Sequence, residues 1–185
     1  MPGVRVVGLF LCVLLARQGA PFDDPEKRWL IEDSIGMSYV CPRGGSISVI
    51  VSQLSNITRD RVWDFACKAS FRGIINCSWS DYVNNYDEGV HFSCPSESLI
   101  SGVQNMRSLT HKQRKWKFQC CGRFSVCFAN CVWTQYVNRA DEYFSWLVPG
   151  DFYLVGIGSS NGEVSALHQW QYRYCVMFPT VMPVI

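Results

Sequence analysis

The sequence predicts an all-β fold made of three internal repeats in a pseudo-threefold arrangement, stapled by disulfides, and three observations carry that reading. The segments RDRVWDFAC (59–67), KQRKWKFQCC (112–121) and LHQWQYRYC (167–175) place Trp63, Trp116 and Trp170 at separations of 53 and 54 residues. In the same register, CPRGGSISV (41–49), CPSESLISGV (94–103) and VPGDFYLVGI (148–157) each follow a proline with a turn and an apolar run. Gly, Pro, Asn and Ser punctuate the chain about every 8 to 12 residues, and no long 3.6-residue period appears, which argues for short strands over helices. Three four-stranded units fit a β-prism or a β-trefoil, and the pattern does not separate the two.

The amino terminus reads as a signal peptide over 1–20. Arg5 precedes an apolar stretch from Val6 to Ala16, and the chain then turns polar and small at Arg17, Gln18, Gly19 and Ala20. That stretch is shorter than the roughly 20 residues a membrane-spanning helix needs. Cleavage is expected between Ala16 and Ala20. A short polar segment, 21–28, leads into one domain over 29–185, with repeats at about 29–78, 79–132 and 133–185 opened by Trp29, Trp79 and Trp133. Later apolar stretches are too short to span a bilayer. The net charge of +2 creates no field that would draw nucleic acid, so an electrostatic partner must be met by a local patch.

Each repeat is expected to hold four strands: one near the opening Trp, one running into the Cys-Pro or Val-Pro step, one after the turn, and one carrying W-x-[FY]. Alternation along this last strand puts Trp63, Phe65 and Cys67 on one face, as it does Trp116, Phe118 and Cys120, and Trp170, Tyr172 and Tyr174. That face is read as core, because paired aromatics contribute large buried areas to a small repeat.

Cys12 leaves with the signal peptide, and nine cysteines remain. In an exported chain they read as a disulfide framework. The first repeat holds only Cys41 and Cys67, so these pair. The third holds only Cys131, two residues before its opening Trp, and Cys175, so these pair as well. In the second, Cys120 and Cys121 point to opposite faces, which predicts Cys94 with Cys120 and Cys77 with Cys121; a local bulge would exchange the two partners, so that choice stays open. Cys127 has no counterpart and is expected to be unpaired or intermolecular. Cys120, Cys121, Cys127 and Cys131 match no zinc spacing, and no cofactor is expected.

Asp60 to Cys67, its variant at Arg114 to Cys121, and the Cys-Pro strand starts resemble the dermatopontin family, over nearly the whole stretch from Trp29 to Cys175. The resemblance implies a secreted extracellular-matrix protein without catalytic activity. It implies binding to glycosaminoglycan or a decorin-like proteoglycan, to collagen-associated matrix and to cell-surface receptors, and support of cell adhesion and collagen fibril organisation. The family also includes invertebrate agglutinins and aggregation factors, so carbohydrate-binding agglutination in innate defence is the alternative. This chain departs from the family twice. Residues 21–28 lack the tyrosines of the vertebrate amino-terminal stretch, and no cysteine follows Cys175, which leaves one family disulfide without its partner. Whether the chain oligomerises, through Cys127 or non-covalently, stays open.

Enzyme-like signals are weak. Gly158-Ser159-Ser160-Asn161-Gly162 matches G-x-S-x-G, yet Asn161-Gly162 is a preferred hairpin turn and no helix pattern follows it. Nothing places His91, His111 or His168 beside Cys127. Asn56-Ile57-Thr58 is a glycosylation sequon expected to be occupied, whereas Asn76-Cys77-Ser78 is not, since its central Cys is committed to a disulfide. The basic run 111–117 is the main candidate surface: Lys115 and Lys117 alternate outward, and with Lys112 and Arg114 they are expected to bind sulfated glycosaminoglycan. Arg61, Arg114 and His168, each two residues before a repeat tryptophan, form a second set of equivalent basic positions. They read either as local ion pairs and aromatic stacking or as an anion or sugar site.

Overall fold

The computed structural model describes residues 29, 36–58, 60–73, 75–86, 88–108, 113–139, 141–160 and 168–180. The expected signal peptide, the segment 21–28, His111, Lys112 and the Asn161-Gly162 turn lie outside these residues. Every regular element described is a strand: β1 (Gly36–Val40), β2 (Gly45–Leu54), β3 (Arg61–Ala69), β4 (Asn76–Trp79), β5 (His91–Ser93), β6 (Ser98–Arg107), β7 (Arg114–Gly122), β8 (Val126–Trp133), β9 (Phe144–Leu147), β10 (Phe152–Ser159) and β11 (Trp170–Pro179). They form three antiparallel sheets, ordered β1-β6-β7-β4, β5-β10-β11-β8 and β3-β2-β9.

Each sheet is built on one hairpin, β2–β3, β6–β7 or β10–β11. The short strand that runs into the Cys-Pro or Val-Pro step does not pair with the hairpin that follows it in sequence. β1 pairs with β6, β5 with β10 and β9 with β2, so the sheets cross the expected boundaries at 78 and 132 and no segment closes a sheet by itself. The proline explains the crossing. Lacking an N–H, it ends the ladder, and the chain leaves one sheet to begin the next. The last bond before it is the same in each place: Cys41 N–H donates to the Ser101 carbonyl at 2.8 Å, Cys94 to Val155 at 2.8 Å and Val148 to Ser48 at 2.9 Å. Ser48, Ser101 and Val155 are the residues skipped where the hairpin registers shift, so these bulges lie at the three crossings. The turn then closes with Gly45, Ser98 and Phe152 donating to Pro42, Pro95 and Pro149. Gly44, at φ 79°, leaves no room for a side chain, since a Cβ there would lie 2.5 Å from the Phe71 carbonyl oxygen.

The outer edges of β7 and β11 are finished by matching irregular segments, Trp79-Ser80-Asp81-Tyr82-Val83-Asn84 and Trp133-Thr134-Gln135-Tyr136-Val137-Asn138. Ser80 Oγ and Thr134 Oγ1 accept the N–H groups of Phe118 and Tyr172, each at 3.0 Å. Asn84 Oδ1 and Asn138 Oδ1 accept those of Trp116 and Trp170, at 2.9 and 2.8 Å. Side chains thus satisfy edge groups that a longer strand would have paired.

The sheets enclose a core in which Trp63, Trp116 and Trp170 meet edge to face, with centroids 5.4 Å (Trp63–Trp116), 5.2 Å (Trp116–Trp170) and 4.9 Å (Trp63–Trp170) apart. Phe65, Phe118 and Tyr172 form the next layer. Disulfides join Cys41 to Cys67 and Cys94 to Cys120, each 26 residues apart, and Cys77 to Cys121 and Cys131 to Cys175, each 44 apart. Cys77 and Cys121 stand directly opposite each other in the β4–β7 ladder. Asn130, at φ 53°, lies where the β8–β11 register shifts beside Cys131, a left-handed conformation that Asn tolerates well.

Tyr172 is 1% exposed, and burial holds its hydroxyl protonated well above the usual tyrosine range, against the opposing effect of Arg61. The folded state keeps this proton to higher pH than the unfolded chain does. This contribution to stability is therefore complete below about pH 10 and is lost as pH rises beyond it. Urea midpoints measured at pH 9 and pH 11 are expected to fall less in Tyr172→Phe than in the unaltered protein; an equal fall would assign the alkaline loss to other groups.

Candidate functional site

Strand β7 carries candidate residues on both its faces, and alternation separates them. Lys115 and Lys117 point outward, but neither stands bare on the surface. Lys117 Nζ lies 5.6 Å from the Trp79 ring centroid and 5.5 Å from that of Tyr82, and Lys115 Nζ lies 4.9 Å from that of Tyr86. Trp79 and Tyr82 are 36% and 39% exposed. The rings fix the ammonium groups without neutralising them. No carboxylate among the described residues forms an ion pair with either lysine. Glu88 is near enough to feel Lys115, but its carboxyl is held below the usual range first by hydrogen bonds from Asn85 and only then by that lysine. On the outer face of β11 the corresponding positions are Gln169 and Gln171 beside Trp133, on which His91 stacks at 5.4 Å. The positive face therefore belongs to β7 alone of these two.

Arg114 does not join that face. It shares the parity of Trp116 and Phe118 and points inward, where its side chain is 8% exposed and its Nη2 and Nε donate to Asp60 Oδ2 at 2.8 and 3.2 Å. Its Nη1 donates to Asn105 Oδ1 at 2.7 Å. Arg107 reaches the same Asp60 oxygen at 3.4 Å. Asp60 is thus the ion-pair partner of Arg114 and Arg107, and Arg61 is held otherwise: its Nη1 donates to Ser52 Oγ at 3.2 Å, its Nη2 to the Glu142 carbonyl at 2.6 Å, and its guanidinium lies 5.4 Å from the Phe144 centroid.

Arg61, Arg114 and His168 come together around one well, lined also by Asp60, Gln113 and the three tryptophans. The well has about 300 Å³ of empty space counting its open mouth, and its throat has room for about one water molecule. His168 is tied to the rim by a 2.6 Å contact from Nδ1 to the Ser160 carbonyl. Ser160 Oγ accepts the Gln169 N–H at 3.0 Å, which makes it a turn clamp.

Cys41, Cys67, Cys77, Cys94, Cys120, Cys121, Cys131 and Cys175 are all disulfide-bonded, and Cys127 is free. Phe178 stands opposite Cys127 in the neighbouring strand, in the place a cross-strand partner would occupy. Asn56 is exposed in the β2–β3 turn. Among the described residues no group of three or more His, Cys, Asp or Glu side chains could hold a metal ion, and no helix is long and apolar enough to cross a membrane. Two features escaped the sequence reading: the aromatic floor under the lysines and the Asn84 and Asn138 clamps. Apart from Tyr86, both belong to the repeated W-[ST]-x-Y-V-N pattern, which recurs 54 residues apart at Trp79 and Trp133.

The dermatopontin family model matches residues 34–179. The chain is similar to a hemagglutinin/amebocyte aggregation factor of Limulus polyphemus, with 31% identity over 149 residues that cover 80% of this chain and 86% of the relative. It is similar to human dermatopontin, at 26% identity over 161 residues covering 84% and 80% of the two chains. It is also similar to Millepora cytotoxin-1 of Millepora dichotoma, at 28% identity over 138 residues covering 75% and 62%. No solved structure matches.

Proposed function

Because the chain belongs to the dermatopontin family, we propose that it is a secreted, non-catalytic extracellular-matrix adaptor whose outer β7 face binds sulfated glycosaminoglycan or a decorin-like proteoglycan. In this reading the signal peptide 1–20 directs export, and 29–185 forms one domain of three repeats arranged with pseudo-threefold symmetry. Asn56 carries a glycan, and contacts with collagen-associated matrix and cell-surface receptors support adhesion and fibril organisation. The observation that carries the proposal is the pair Lys115 and Lys117, charged, in no ion pair among the described residues, and braced on Trp79, Tyr82 and Tyr86. A sulfated chain laid along β7 meets ammonium groups for its sulfates and ring faces for its sugars.

The double variant Lys115→Ala, Lys117→Ala is expected to fold normally and to bind heparin about three- to tenfold more weakly, since two exposed ion pairs are each worth up to about 1 kcal/mol. It should elute from heparin at lower salt, because screening weakens what remains. An unchanged elution position in a folded double variant would remove this face from the account.

A second reading, a carbohydrate-binding agglutinin of innate defence, is favoured by the similarity to the Limulus hemagglutinin/aggregation factor. Red-cell agglutination abolished by a simple sugar would select it; faster collagen fibril formation without sugar inhibition would select the adaptor.

A further inference from the structure

The central well holds polar groups that the fold leaves unused. Trp63 and Trp170 are 2% and 3% exposed, and the Nε1–H of each is buried with no hydrogen-bond partner in the protein. An indole N–H can only donate. Gln113, on the same wall, has a buried Oε1 that is likewise unpartnered; a half-turn of that amide presents its NH2 to the same space. Buried polar groups are normally satisfied, and two orphaned donors lining one small space point to a guest.

The charge around the well gives the guest its sign. Asp60 Oδ2 serves both Arg114 and Arg107, so two guanidiniums face one carboxylate, and Arg61, which also feels Asp141 and Glu142, puts a further guanidinium on the wall. The well has room for about one water-sized group. A water molecule there would accept from both indoles and donate to Gln113 Oε1 or outward through the mouth, so it is the guanidiniums of the wall that favour an anion over water. An oxyanion oxygen only accepts.

We propose that this well is a binding site for a single oxyanion group, sulfate or a sulfate ester, with one oxygen in the throat on the Trp63 and Trp170 indoles and the remaining oxygens at the mouth beside Arg61, Arg114 and His168. The site lies on the inward side of β7 and is independent of the outer lysine face. Its ligand is a compact group and not a polymer laid along a strand.

The test follows the indole N–H resonances by 15N-edited NMR while inorganic sulfate is added to the full protein at constant ionic strength, with chloride as the balancing anion. Two indole signals are expected to shift downfield and saturate. One of them should be missing in Trp170→Phe, whose apparent Kd should rise at least tenfold; Gln113→Leu supplies a second variant if the first does not fold, and is expected to weaken binding several-fold. Lys115→Ala, Lys117→Ala should leave the titration unchanged, so loss of heparin binding and loss of this site are separately visible. N-acetylglucosamine 6-sulfate binding more tightly than inorganic sulfate would identify the source as a sulfated saccharide, and equal affinity would identify the free ion. Shifts that are linear in sulfate, equal with chloride, or unaltered in both well variants would overturn the proposal and leave the throat to water.

Discussion

Alanine in place of Trp63 is expected to destabilise the protein by about 3–5 kcal/mol, among the largest losses a single core truncation gives. Trp63 touches Trp116, Trp170, Phe144 and Phe65, which come from all three sheets, so its removal opens a void where the sheets meet and not within one of them. Neighbouring rings are rigid and cannot collapse into the gap as aliphatic chains do. For a domain of this size the loss corresponds to a fall in Tm on the order of 10 °C, against a total stability of roughly 5–15 kcal/mol. Trp79→Ala is the matched control, because that ring is 36% exposed on an outer face and surface truncations cost within about 0.5 kcal/mol. Thermal unfolding of both variants decides it. Equal midpoints would mean that the tryptophan cluster does not hold the sheets together.

The inward face of the W-x-[FY] strands is legible because strand alternation has a period of two, and a one-residue slip would turn every ring to water. The all-β class follows from the same short, punctuated runs. The sheet that each Cys-Pro strand joins has no local signal. β1 finds its partner β6 about 60 residues away, and with three similar hairpins in one chain the same strand pattern suits its own hairpin or the next. Only the direction in which Pro42, Pro95 and Pro149 turn the chain decides between them, and that is a tertiary property. Arg114 is different: the parity that sends Trp116 and Phe118 inward sends it inward too, while its place in a run of basic residues groups it with the lysines on charge alone. Strand period outweighs charge density there because Asp60, 54 residues earlier, supplies the partner that makes burial of a guanidinium tolerable. The aromatic floor beneath the lysines runs from the end of β4 into the irregular segment after it, where neither a helical nor a strand period assigns a direction to Tyr82 or Tyr86.

Arg114→Met should reveal that burial directly. Among the described residues, removing the guanidinium leaves Asp60, whose side chain is 7% exposed, with the 3.4 Å contact from Arg107 and the bond from the Arg61 N–H at 2.7 Å. Breaking a buried pair from one side costs about 3–5 kcal/mol, because the surviving charge has lost both water and its counter-ion. Most of that cost belongs to the orphaned carboxylate and little of it to the attraction removed. The double variant Asp60→Asn, Arg114→Met should therefore be more stable than Arg114→Met alone, recovering on the order of 2 kcal/mol, since a neutral amide can stay buried on the Arg61 N–H. Arg107→Met should cost less than about 1 kcal/mol, because that side chain is 18% exposed and makes only the longer contact. Urea unfolding of the four proteins measures these differences. Arg114→Met within experimental error of the unaltered protein, or a double variant less stable than Arg114→Met alone, would mean that the Asp60–Arg114 pair is screened by water. The inward placement of Arg114, and with it the positive wall of the central well, would then lose its basis.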